Sequence, residues 1–129
     1  WAESIGGSDA LIARVDASFA HVRAWVAATP HFAFLARDPA TISPTALCLV
    51  VSDPWFTNLE SAVQADLVKQ MLALIAEEGV ALDINAYRDA PVGIRIWGGP
   101  TVDPEDIERL LPWIDWAYET IRAAHRQAA

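Results

Sequence analysis

The sequence predicts one α+β domain, an α/β sandwich in which a small, mostly antiparallel sheet carries helices mainly on one face. Three observations lead there. The chain has 129 residues, the usual span of a single domain. Apolar residues make up 53% of it, and six are tryptophan, enough for one real core and too many for a disordered chain. Long stripes of helical period open, divide and close the sequence, and the short apolar runs between them are bounded by proline, glycine and aspartate, as strands are.

The elements follow in order. Trp1-Ala2-Glu3-Ser4-Ile5 runs into Gly6-Gly7 and reads as the last turn of a helix closed by glycine. From this we expect the natural protein to continue upstream. The first complete helix is expected over residues 8–28, with Ser8 as N-cap. Its apolar stripe is Leu11, Ile12, Val15, Phe19, Val22 and Val26, and Pro30 ends it. Residues 31–35 form a short candidate strand. Residues 45–51, TALCLVV, are apolar, partly β-branched and flanked by turn signals, which predicts a strand buried on both faces. Asp53-Pro54 breaks that strand. Trp55 and Phe56 fall in the connection, with Thr57 or Asn58 as the next cap.

A second helix is expected over residues 59–78, with Leu59, Val63, Leu67, Met71, Leu74 and Ile75 as its stripe and Gly79 as its stop. Residues 80–86 and 92–97 read as two strands. Between them lies the turn-rich Tyr87-Arg88-Asp89-Ala90-Pro91, and Gly98-Gly99-Pro100 closes the second. The last helix has the clearest start: Asp103 as cap, Pro104 at the first helical position, and Glu105 and Asp106 against the positive end of the dipole. Ile107, Leu110, Leu111, Ile114, Tyr118 and Ile121 face the core, and Pro112 is expected to kink or split the helix. The resulting order is α-β-β-α-β-β-α.

Charge narrows the function. A net charge of −8 leaves no basic face with which to neutralise phosphates, so neither nucleic acid nor an anionic membrane is an expected partner. The apolar runs are too short to span a bilayer. No basic stretch precedes an opening apolar segment, so no secretory signal is read. The single cysteine, Cys48, cannot close an internal disulfide, and a cytoplasmic setting is expected. Cys48 itself reads as a small core residue.

Most chemistry is missing. His21, His31 and His125 are scattered, without cysteine or paired carboxylates at ligand spacing, so no metal is expected. Neither a GxSxG element nor a Cys/His pairing supports nucleophilic catalysis. Gly98-Gly99 lacks the spacing of a dinucleotide site and reads as a turn. Glu77-Glu78 and Glu105-Asp106 read as solvated helix-end charge, and Trp113 and Trp116 as packing or a domain-facing patch.

Two arginines remain. Arg88 and Arg95 lie at or near strand ends around a proline-containing turn, in a chain with nine basic residues. Arg95 interrupts the apolar run Val92-Gly93-Ile94-Arg95-Ile96-Trp97, and a guanidinium placed there needs an anion. Its partner is either internal, Asp83 or Asp89, or a ligand carboxylate held in the two-pronged geometry that suits arginine.

The segment over residues 86–102, AYRDAPVGIRIWGGPTV, resembles the phosphoserine aminotransferase family in the branch common among alphaproteobacteria. So do the opening WAESIGG, the DPATIS stretch from Asp38 and the LLPWIDWAY stretch from Leu110. The resemblance covers nearly the whole chain in the expected order. It implies that residues 1–129 are the small C-terminal domain of a fold-type I aminotransferase, with the cofactor-binding domain upstream. It also implies a homodimeric pyridoxal-phosphate enzyme that moves an amino group between glutamate and 3-phosphohydroxypyruvate, forming phosphoserine in serine biosynthesis. Arg95 matches the arginine that grips the substrate α-carboxylate. Tyr87-Arg88 falls where the better-studied bacterial branch has a His-Arg pair near the substrate phosphate. Here tyrosine replaces histidine, and the spacing to Arg95 is one residue longer.

A chemical check accompanies the resemblance. Transamination on pyridoxal phosphate needs a Schiff-base lysine, and the only lysine, Lys69, sits in mid-helix with no phosphate cradle beside it. The chain alone is therefore expected to bind no cofactor and to be inactive. Two other readings stand beside this one: a free-standing module that binds a small anion through Arg88 and Arg95, and a structural or dimerising domain with exposed tryptophans at its interface.

Overall fold

Strand β2 (Ala46–Val51) organises the molecule, which is known from a computed structural model describing residues 1–128. It lies between β1 (Phe32–Phe34) and β3 (Ile94–Trp97), antiparallel to both, in the order β1-β2-β3. The register places Phe32 opposite Val51, Leu47 opposite Ile96, and Cys48 opposite Arg95. Successive strand residues point to opposite faces. Leu47, Leu49 and Val51 therefore share one face with Phe32, Ile94 and Ile96, all buried in the single core cluster. Ala46, Cys48, Val50, Ala33, Arg95 and Trp97 share the other, where they are half-buried or exposed. The α+β sandwich with one covered face is as expected, but β2 is not buried on both sides. Cys48 accordingly sits on the open face and not in the core. A run of small and apolar residues looks the same in sequence whether or not anything covers its second face.

Four helices complete the fold: α1 (Gly7–Ala28), α2 (Pro54–Thr57), α3 (Ser61–Glu77) and α4 (Pro104–Ala128). Gly6, not Ser8, stands at the N-cap of α1, with φ 116°, and it closes a 3-10 turn over Glu3–Ile5 by donating its amide to the Glu3 carbonyl. Asp53 does more than end β2: its carboxylate caps α2, accepting the Trp55 amide at 2.8 Å, with Pro54 at the first helical position. The segment expected as a plain connection is thus a helical turn that buries Phe56. Helix α4 runs unbroken through Pro112 and buries Ile107, Leu110, Leu111, Ile114, Tyr118 and Ile121 against α1 and α3. Arg14 of α1 clasps the approach to α4, donating to the Pro100 carbonyl at 2.9 Å and to the Asp103 carboxylate at 2.6 Å.

One expected strand is missing. Residues 80–86 run beside β3 without joining the sheet, so the order is α-β-β-α-β-α, and their ladder is limited to the Asn85–Ile94 bridge and the Arg95 amide donating to the Ile84 carbonyl at 2.9 Å. Asp83 explains why. Its φ of 56° lies in the left-handed region and breaks the extended backbone that a strand needs.

The entry to β3 is sterically exacting. A Cβ on Gly93, which is buried, would overlap the Leu49 carbonyl of β2. Gly93→Ala is expected to lower stability by about 1–3 kcal/mol through overpacking. Urea denaturation checks this as a drop in midpoint with an unchanged slope.

Candidate functional site

The open face of the sheet carries one cation, Arg95, directly across from Cys48. Its side chain is 18% exposed, and segment 80–90, pinned to β3 at Ile84 and Asn85, brings two groups to it. The Tyr87 ring lies against the guanidinium, with Cζ 4.5 Å from the ring centroid, and Nη1 donates to the Tyr87 hydroxyl at 3.4 Å. The Asp83 carboxylate approaches Nη2 at 3.7 Å, but it is 88% exposed and too distant for a hydrogen bond. Nε is buried and has no hydrogen-bond partner among the described residues. Arginine offers five N–H donors, and the Tyr87 hydroxyl is the one side-chain acceptor within reach here. Of the two candidate internal partners, Asp83 is the one brought close. A solvent-exposed pair of this length contributes little, typically ~0–1 kcal/mol.

The three expected site residues are thus only partly assembled. Tyr87 and Arg95 meet in a stacked pair. Arg88 is exposed and makes no hydrogen bond or ion pair among the described residues. Beside Arg95 a groove of about 440 Å³ opens along the outer edge of β3, lined by Leu82, Asp83, Trp97 and Asp106 among others. A cationic fork, an aromatic floor and an open edge together suit a small planar anion such as a carboxylate. Lys69 is exposed on α3. No cluster of His, Cys, Asp or Glu able to hold a metal occurs among the described residues. No helix of theirs is long and apolar enough to cross a membrane.

A second polar cluster lies on the helix side. Asp53, 6% exposed, accepts the Tyr118 hydroxyl at 2.8 Å. His31 Nδ1 and Arg122 Nε each stand 3.4 Å from the same carboxylate. Neither is aligned for a hydrogen bond, so both act on it as charges or dipoles. His31 Nε2 meets Glu119 at 2.7 Å, and Arg122 meets Glu119 at 3.2 Å. Burial works to raise the Asp53 pKa, but the Trp55 amide, the Tyr118 hydroxyl, Arg122 and His31 together outweigh it and hold the carboxyl below its usual value. Burial and the same carboxylate push the Tyr118 hydroxyl well above the usual tyrosine range, so it remains a donor. These groups face one another, and the cluster is an anchor tying the strand ends to α4, with His31 Nδ1 and Arg122 Nε held near the carboxylate without a hydrogen bond. Nothing in local sequence spacing marks it, because its members come from positions 31, 53 and 118–122. The one readable signal is Asp53-Pro54, the cap-and-proline pair of a helix start.

No family model matches the chain. Among proteins of assigned function, the phosphoserine aminotransferases of Methanosarcina mazei and Methanosarcina barkeri are each 38% identical to it over 122 residues, 95% of this chain. The chain is homologous to phosphoserine aminotransferases. It spans 30% of the length of each of these relatives, so the match covers one part of such an enzyme.

Proposed function

We propose that the chain is the small C-terminal domain of a phosphoserine transaminase, with Arg95 as the clamp for the substrate α-carboxylate. The observation that carries this is the state of Arg95: a mostly buried guanidinium on the open sheet face, stacked on Tyr87, whose one ion pair among the described residues is a long contact to an exposed carboxylate. A structural arginine so placed would be expected to close a short, two-pronged pair. The homology supports the enzyme class, and the position of Arg95 in the motif supports its role.

The full enzyme exchanges an amino group between glutamate and 3-phosphohydroxypyruvate in the cytoplasm, as a homodimer. Arg88 and Tyr87 lie toward the substrate phosphate, with Tyr87 also touching Arg95. Pyridoxal phosphate supplies the electron sink for the exchange. The residues of this chain do not fit that cofactor, since its only lysine, Lys69, is exposed in the middle of α3. The part played by these residues is confined to the substrate: Arg95 neutralises and orients a carboxylate, and closure of this domain over the site excludes water from the pair.

A transamination assay on the full reading frame, with added pyridoxal phosphate, tests the proposal. Turnover of glutamate with 3-phosphohydroxypyruvate is expected from the full protein and none from the 129-residue chain. A full reading frame that binds the cofactor yet does not turn over this pair would remove the reading.

A further inference from the structure

Asp83 is an odd partner for Arg95. It is held at φ 56°, a conformation uncommon for a residue with a side chain though tolerated by aspartate and asparagine. Its carboxylate reaches Nη2 only at 3.7 Å, and it is 88% exposed. An ion pair built for stability in this position would be short, two-pronged and shielded from water. Asp83 also borders two grooves. One is the groove along β3 that contains Arg95, and the other is lined by Lys69, Leu72 and Asn85. The carboxylate therefore borders both grooves, of which one contains Arg95 and the other Lys69. Tyr87 differs in kind. Its ring lies against the guanidinium at 4.5 Å from Cζ, which restrains the plane of the fork without supplying a competing negative charge.

We propose that Asp83 is a place-holding carboxylate for Arg95, displaced by the substrate carboxylate on binding, while Tyr87 keeps the guanidinium oriented through the exchange. The proposal rests on the reading of Arg95 as the carboxylate clamp and adds an internal competitor to it. An internal anion that must leave before the ligand binds reduces apparent affinity by the fraction of time it occupies the site. Because the pair is exposed and loose, that reduction is modest, about 3- to 5-fold, in keeping with the small coupling of exposed ion pairs. The same competitor discourages weakly held anions from settling on Arg95.

The test is a mutant cycle on the full-length enzyme, read as the KM for glutamate. Asp83→Asn suits the left-handed backbone and removes only the charge, so the segment keeps its shape. It is expected to lower KM by about 3- to 5-fold, with the change in KM rather than kcat, and to have no effect on KM once Arg95 is alanine. Tyr87→Ala removes the ring that lies against the guanidinium and is expected to raise KM; an unchanged KM would overturn its part in orienting Arg95. An unchanged or raised KM in Asp83→Asn overturns the place-holder. So does an equal fall in the Arg95→Ala background, since Asp83 would then act as general charge and not through Arg95. If Arg95→Ala itself leaves KM untouched, the clamp fails first.

Discussion

Arg95→Ala in the full-length enzyme is expected to lower kcat/KM for glutamate by about 10²-fold or more, mainly through KM. The size follows from the contact. A charge-assisted, two-pronged arginine–carboxylate pair in a water-excluded site is worth about 3 kcal/mol, and each 1.36 kcal/mol is roughly tenfold in rate. Arg95 is set up for such a pair, since most of its side chain is buried and its Nε has no partner among the described residues. Arg95→Lys keeps the charge but loses the fork and is expected to fall in between. Steady-state kinetics at saturating 3-phosphohydroxypyruvate measure all three, and circular dichroism of the variants shows whether the fold is intact. An Arg95→Ala enzyme with parental kcat/KM would refute the clamp.

Asp53→Ala is expected to be the most damaging substitution for stability, at about 2–4 kcal/mol. It leaves the Tyr118 hydroxyl, the Trp55 amide, Arg122 and His31 facing an empty site, and breaking a buried charged network from one side costs several kcal/mol. The cost stays below that of breaking a fully buried pair because the Arg122 side chain is 22% exposed. Tyr118→Phe removes only one hydrogen bond and is expected to cost about 1–2 kcal/mol. The pH dependence has a defined sign. The Asp53 carboxyl is held below its usual value in the folded protein, so its contribution is fully present above the unfolded carboxyl pKa of about 4. It is lost as the pH falls through the lower folded value. Urea denaturation from pH 6 down to pH 3 should therefore show a steeper loss of stability in the parent than in Asp53→Asn. Equal slopes would mean that Asp53 is not held ionised by its neighbours.

Much of this protein is local and was legible as such. The stripe of α4 from Ile107 to Ile121 faces the core as its spacing requires, because a helix period of 3.6 residues fixes which side chains share a face. Pro104 opens that helix for a reason internal to the residue. Arg95 stood out because a guanidinium within an apolar run needs an anion if the run is buried, and the segment around it carries the family resemblance.

Other features depend on segments that are far apart in the chain. TALCLVV reads the same whether one face or two are covered, and only the placement of α1, α3 and α4 on one side leaves Cys48 and Arg95 on an open one. Residues 80–86 have strand-like composition, yet the left-handed backbone at Asp83 stops them from pairing fully with β3. The choice of Asp83 over Asp89 beside Arg95, the Tyr87 ring against the guanidinium and the gathering of His31, Asp53, Tyr118 and Arg122 are of the same kind. Periodicity and capping act over one or two turns of chain. Which face is covered, and which charges meet, is decided when distant segments pack, and no spacing within a single segment records it.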